Sequence, residues 1–455
     1  MLERVRTNGR RFRVVTEAEF GSCPSISRSA GIGRIGVILA LGLLVTVAMI
    51  ALFEARGTQS RPRPARKQSV GDPIQDLQQR LDSGEEKLTF DRDTNRGYLA
   101  SVLKALDIPV SSQTLVFSKS SAQLDYIAPQ RPRALYFNDN VYVGWAQGAP
   151  ALELASVDRT LGPKFYTLDQ DEEGRPRFRQ KTEECVVCHD AALLEQPVPR
   201  LLMLSVLPNQ AGNAVRAYAM STNDDSPFRN RWGGWYVTGT HGHQLHMGNV
   251  MVRMEADALD TNEVKRYIEN LDRTPGANIT DLSGRFDTKA YLAPSSDIVA
   301  LMLLGHQTHV HNLITLASYE IRDAVAKNSP DTAKLVEEDG DMVLRAMLFA
   351  RAEPLKEPVQ GVSGFAEEFS REGPRDSRGR SLRDLDLKTR LLRYPLSYLI
   401  YSESFDAMPD PVRDYVLRRL REILDGKDQS ADFASLTADD RQAILEILKE
   451  TKPGF

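Results

Sequence analysis

Cysteine is almost missing from this chain: three occur in 455 residues. A disulfide scaffold needs dense, paired cysteines, so this set excludes one. Neither sign of charge is in excess. Fifty-eight Lys and Arg stand against 62 Asp and Glu, a net charge of -4, which leaves no global footprint for nucleic acid. There is no glycine-rich nucleotide loop, no serine nucleophile elbow, no paired-carboxylate glycosidase signature and no HExxH spacing. No internal repeat at a solenoid period occurs either.

Long hydrophobic runs are also scarce, which gives weight to the one at residues 35–53, IGVILALGLLVTVAMIALF, 19 residues without a charge. That length spans a bilayer core as a helix. Arg4, Arg6, Arg10, Arg11, Arg13, Arg28 and Arg34 precede it, which keeps the amino terminus in the cytoplasm and puts the bulk of the chain on the periplasmic or extracytoplasmic side. A second basic stretch, Arg56, Arg61, Arg63, Arg66 and Lys67, follows the run. No small-x-small cleavage site accompanies it, so an anchor in the cytoplasmic (inner) membrane is expected rather than a cleaved signal. Arg10-Arg11 lies too far from the apolar core for twin-arginine export, and Cys23 sits where no lipobox places it.

The expected organisation is a cytoplasmic tail (1–34), a transmembrane helix (35–53), a linker rich in Arg, Pro, Ser and Gln (54–71), a mixed region (72–294) and a mostly helical region (295–455). The fold class is α+β. Helical spacing puts Ile74, Leu77 and Leu81 on one face, then Leu99, Val102, Leu103 and Leu106 on another. Strand-like pieces follow at 114–117, 134–137, 141–145, 201–207, 215–221 and 234–238, with a turn at 138–140. Helices are expected at 297–324, 332–352, 411–424 and 438–449, with Asp297 and Thr437 as starts. Residues 361–381, rich in Gly, Arg, Glu and Ser, predict a long exposed loop or hinge.

Two of the three cysteines lie in Cys185-Val186-Val187-Cys188-His189. Cysteines three apart on a helical turn can each form a thioether to one haem vinyl group, and the adjacent histidine then meets the iron from the same face. A zinc half-site is the competing reading, but four ligands are needed and there is no second cysteine pair. A thiol redox pair is another, weakened by Val-Val between the cysteines and by the absence of a βαβ pattern nearby.

At these residues the chain resembles the c-type cytochromes, and RPRALYFNDN at 131–140 with RWGGWYVTG at 231–239 look like stretches of large bacterial single-haem members. The resemblance implies one covalent haem c, with thioethers to Cys185 and Cys188 and with His189 as the proximal iron ligand. It puts the haem in the 72–294 domain. Length is the departure, since a simple cytochrome c domain has on the order of 100 residues.

An electron-transfer haem takes a second axial ligand, whereas an enzyme keeps that position open or weakly held. The segment 238–249, THGHQLHMGN after its first two residues, gathers His241, His243, His246 and Met247 among glycines. His306, His309 and His311 form a second group, with His306 and His309 on one helix face. The ranking is His246, then Met247, His241 and His306. Trp145, Trp232, Trp235 and Tyr236 are expected in the core or at the haem edge, and the 221–227 stretch as a turn.

The function expected is that of a membrane-anchored c-type cytochrome passing electrons to an unidentified redox partner outside the cytoplasmic membrane, without contact to nucleic acid. The alternative is a single-haem redox enzyme, peroxidase- or dehydrogenase-like; a third class is a haem-regulated binding or sensor protein.

Overall fold

The computed structural model describes residues 71–119, 121–182, 189, 198–253 and 261–455, and at the amino terminus only 6–7 and 10–11. The expected membrane helix at 35–53, most of its flanks, and both Cys185 and Cys188 lie outside the described residues. Among the described residues, no helix is long and apolar enough to cross a membrane.

The folded part begins at Asp72, whose carboxylate accepts the Ile74 N–H at 3.0 Å and so caps α1 (Pro73–Ser83). Helix α2 (Leu99–Ala105) buries Leu99, Val102 and Leu103. Six strands follow: β1 (Thr114–Val116), β2 (Arg133–Phe137), β3 (Val141–Trp145), β4 (Ala151–Asp158), β5 (Gly162–Asp169) and β6 (Phe178–Lys181). The expected turn between β2 and β3 is made by Asn138, whose side-chain oxygen accepts the N–H groups of Asn140 and Val141.

Beyond the sheet, β7 (Leu204–Pro208) pairs with β8 (Ala214–Ser221), and β9 (Trp235–Tyr236) returns to the large sheet, whose order is β9-β1-β2-β3-β4-β5-β6 with all neighbours antiparallel. Helix α3 (Thr261–Glu269) lays Val264 and Ile268 against Leu207 and Val215 of the β7–β8 pair.

One face of the large sheet is covered by α1. Asp72 accepts from Ser156 at 2.7 Å and from the Tyr166 hydroxyl, and Gln75 donates to that hydroxyl at 3.1 Å. The other face is covered by α4 (Ile298–Ala326), a 29-residue helix whose start is buried all round. Gln307 on α4 donates to the Tyr142 hydroxyl at 2.6 Å. Asp297 caps α4 through Val299 at 2.8 Å and also accepts the N–H groups of Val362 and Ser363. The remaining helices are α5 (Thr332–Met347), α6 (Phe365–Arg371), α7 (Glu403–Asp406), α8 (Asp410–Leu424) and α9 (Ala438–Thr451). Thr437 and Asp440 form a capping box at the start of α9.

Residues 361–381 are the expected exposed loop only in part: 371–375 and 377–379 are exposed, but the rest is built into the fold. They contain α6, bury Phe365, Phe369 and Asp376, and end at a fully buried Ser381. Their polar composition suggested solvent, but Arg380 bonds Asp376 and Glu446, while the neighbouring Arg383 bonds Asp139 at 2.8 Å and stacks over Phe369 and Tyr398. The boundary at 294/295 also falls inside one continuous core: Ile74, Val143, Leu301 and Leu448 belong to the same cluster.

Candidate haem site

His189 is positioned by the edge of the sheet and the start of the segment after it. Lys181 at the end of β6 pairs with Phe165 of β5, and the His189 ring lies 4.6 Å from the Phe165 ring at 47°. The chain is thus held at Phe165 both before and after the cysteine pair. The His189 and Arg200 backbones are joined by Arg200 N–H donating to the His189 carbonyl at 2.8 Å.

The side chain makes a second link, with Nδ1 2.9 Å from the Arg200 carbonyl. A carbonyl only accepts, so Nδ1 carries the proton and Nε2 carries the lone pair. Among the described residues no hydrogen bond reaches Nε2. Burial pushes the His189 pKa down to about 4, against the opposing pull of the Arg200 carbonyl, with the charges of Arg200 and Arg133 lowering it and that of Glu153 raising it. The ring is therefore neutral at pH 7, the form that binds metal.

Arg200 is itself fixed through its neighbour. Asn312 on α4 accepts the Leu201 N–H and donates to the Leu201 carbonyl, each at 2.7 Å. Gly162, at φ 70, brings the start of β5 against Thr315 one turn further along the same helix. The site thus draws on β5, α4 and the 198–201 segment.

A partly buried ion pair lies beside it on the same sheet face. The Arg133 guanidinium crosses Gly144 and bonds Glu153, which also accepts from Ser121 at 3.1 Å. Arg133 is 7% exposed.

The expected sixth ligands have the following surroundings. His241 has both ring nitrogens engaged: Nδ1 lies 2.5 Å from the Gln244 carbonyl and Nε2 accepts the Asn278 N–H at 2.9 Å. His243 is exposed and pairs with Glu357 at 3.0 Å. His246 is buried against Trp232, His241 and Phe228, and among the described residues neither of its nitrogens has a hydrogen-bond partner of normal geometry. Burial, with the neighbouring His241, holds its pKa well below the usual range. Met247 is fully buried with Leu207, Val215, Val252, Val264 and Ile268.

His306 also has both nitrogens in use, Nδ1 2.6 Å from Asp224 and Nε2 2.8 Å from the Ser397 hydroxyl, with Phe349 stacked on the ring at 4.3 Å. His309 faces the Asn223 side chain at 3.3 Å, and His311 donates from Nε2 to the Asp139 carbonyl at 2.9 Å. Among the described residues no group of three or more His, Cys, Asp or Glu is arranged to hold a metal ion.

The His241–Met247 segment and the His189 segment are anchored to opposite parts of α4, while His306, His309 and His311 lie on α4 within two turns of Asn312. Gly239, two residues from His241, abuts Ile298 at the start of α4, whereas the His189 segment is tied to Asn312. Fourteen helical residues separate those anchors, about 21 Å along the axis.

Trp235 donates from Nε1 to the Leu204 carbonyl at 2.7 Å, Tyr236 donates to the Pro129 carbonyl at 2.7 Å, and Trp145 packs edge-on against Tyr291. All three are core residues here. The 221–227 stretch is the expected turn, with Asn223 accepting from Asp225 and Ser226.

Phe165, Arg200, Asn312 and the Arg133–Glu153 pair carry no sequence motif, and only the strand register and the α4 contact expose them. Comparison of the chain with family models, with curated proteins and with solved structures finds no match to any of them.

Proposed function

We propose that this chain is a c-type cytochrome, anchored in the cytoplasmic membrane by residues 35–53, which holds one covalent haem c on Cys185 and Cys188 and passes electrons on the extracytoplasmic side. His189 supplies the proximal iron ligand through Nε2. The supporting observation is the hydrogen bond from His189 Nδ1 to the Arg200 carbonyl. A ligating imidazole needs its other nitrogen protonated and oriented by an outer partner, and this bond meets that need.

Haem, when bound, supplies an iron that cycles between the ferrous and ferric states. The chain's own part is positional. Arg200 sets the tautomer that leaves the lone pair on Nε2, Asn312 fixes the Arg200 segment to α4, Phe165 supports the ring, and burial keeps the imidazole uncharged.

A second reading is a single-haem redox enzyme with an open or weakly held sixth position. The observation favouring it is that His241 and His306 already use both ring nitrogens, while Met247 is packed in a separate apolar cluster. One experiment addresses both. The full chain is produced with a haem c maturation system, and a pyridine haemochrome spectrum is recorded for it and for Cys185→Ala/Cys188→Ala. A c-type haemochrome lost in the variant, with low-spin iron in both oxidation states, is the carrier's result. High-spin ferric iron that takes up cyanide or peroxide selects the enzyme, and absence of covalent haem from the unmodified chain overturns both readings.

A further inference from the structure

We infer that Arg133 and Glu153 are a charge pair that sets the reduction potential of the iron on His189, and that Gly144 is the gap through which they meet. The inference rests on the proposed ligation of haem iron by His189.

Register fixes where the pair lies. Antiparallel partners share a sheet face, and Leu135 pairs with Gly144, Gly144 with Glu153, and Ala155 with Phe165. Arg133, two residues before Leu135, and Glu153, two before Ala155, therefore stand on the face that carries Phe165 and the His189 ring. Glu153 is a diagonal neighbour of Phe165, a separation of roughly 7–8 Å. Glu153 thus stands one diagonal step from the support of the proximal histidine, and Arg133 reaches it from two strands away.

The contact between them is unusual in reach. Arg133 is on β2 and Glu153 on β4, with β3 between, so the guanidinium must pass over a residue of β3. That residue is Gly144, and a Cβ there would fall inside the guanidinium. Its φ is not in the left-handed region, so space rather than backbone conformation calls for glycine. Ser121, 2% exposed, donates to Glu153 from the far side.

Burying Arg133 and half-burying Glu153 has a desolvation cost, and an apolar pair of similar volume is often as stable or better. The sheet does not require this pair for its hydrogen bonding. In a weakly screened interior, however, each charge acts strongly on a nearby redox centre. A cation favours the ferrous form and raises the potential; an anion lowers it. Arg133 and Glu153 then oppose one another, and their balance fixes the value.

The test uses the full chain loaded with haem and reads the midpoint potential by optical titration. Arg133→Gln is expected to lower the potential and Glu153→Gln to raise it. Arg133→Lys keeps the charge and should stay near the parent, and the double Gln variant should return toward it. The opposite signs matter, because a pair that only braces the sheet would lower stability in both single variants without moving the potential in opposite directions. Absence of shift, or shifts of the same sign, overturns the inference. Should Arg133→Gln fail to fold, Glu153→Gln alone decides by rising or not. A c-type haemochrome is recorded for every variant, so failure of haem attachment in the unmodified chain is seen separately.

Discussion

Asn312 grips the backbone of Leu201 from both sides, accepting its N–H and donating to its carbonyl, each at 2.7 Å. One side chain on α4 thereby fixes the peptide next to the carbonyl that orients His189. Asn312→Ala is expected to cost about 1–3 kcal/mol, because both backbone groups of a partly buried segment lose their partner. Urea midpoints of parent and variant measure the loss, and in the haem-loaded chain the visible spectrum should change as His189 loosens. An unchanged midpoint and spectrum would remove Asn312 from the account.

Phe165 carries the second support. Truncation to Ala at this buried position should destabilise by about 3–5 kcal/mol, whereas Phe165→Leu, which keeps most of the volume, should cost less than half of that. Equal losses in thermal unfolding would mean that the ring contact with His189 matters more than the bulk.

His311 gives the stability a pH dependence of known sign. Burial pulls its pKa down to about 4, against the raising effect of the Asp139 carbonyl, while the unfolded value is about 6.5. The folded state thus favours the neutral ring. Its contribution is fully present above pH 6.5 and disappears as pH falls through 4, up to about 3 kcal/mol. Among the described residues Nδ1 has no hydrogen-bond partner, so a second proton there would find no acceptor among them. Denaturant midpoints between pH 7 and 4 should fall less steeply for His311→Gln than for the parent, and parallel slopes would refute the assignment. Burial acts in the same direction on His246 and His309, so some slope remains in the variant.

Asp224, His306 and Ser397 are spaced as an acid, a base and a nucleophile are in hydrolases. Ser397 is fully buried and its hydroxyl also caps the short turn beginning at Tyr398, so the trio is expected to join three segments rather than to act on a substrate. Asp224→Asn should cost about 1.5–3 kcal/mol as a charge-assisted bond is weakened, and Ser397→Ala about 1 kcal/mol. The folded chain should resist an organophosphorus serine reagent; stoichiometric labelling of Ser397 would show that the trio is reactive after all.

Helix ends were the most legible part of the chain. Asp297 and Thr437 start their helices as expected because a short polar side chain before an apolar run has one good use, the free N–H groups of the first turn. Strands β4 and β5 were not legible. ALELASVD favours a helix by residue preference, and GPKFYTLD opens with Gly-Pro, so neighbouring strands decide both. For the same reason His241 and His246 suggested a ligand cluster: closeness in sequence carried the idea, whereas contacts with Gln244, Asn278, Trp232 and Phe228 fix their positions. His189 was identified through chemistry that depends on adjacent residues. Its supports come from Phe165, Arg200 and Asn312, which no spacing rule connects.

The chain returns to Phe165 at two described residues. Lys181 and His189 are both fastened there, eight positions apart. Lys181 and His189 thus share one support, so a change at Phe165 is felt at two positions of the chain at once rather than at one.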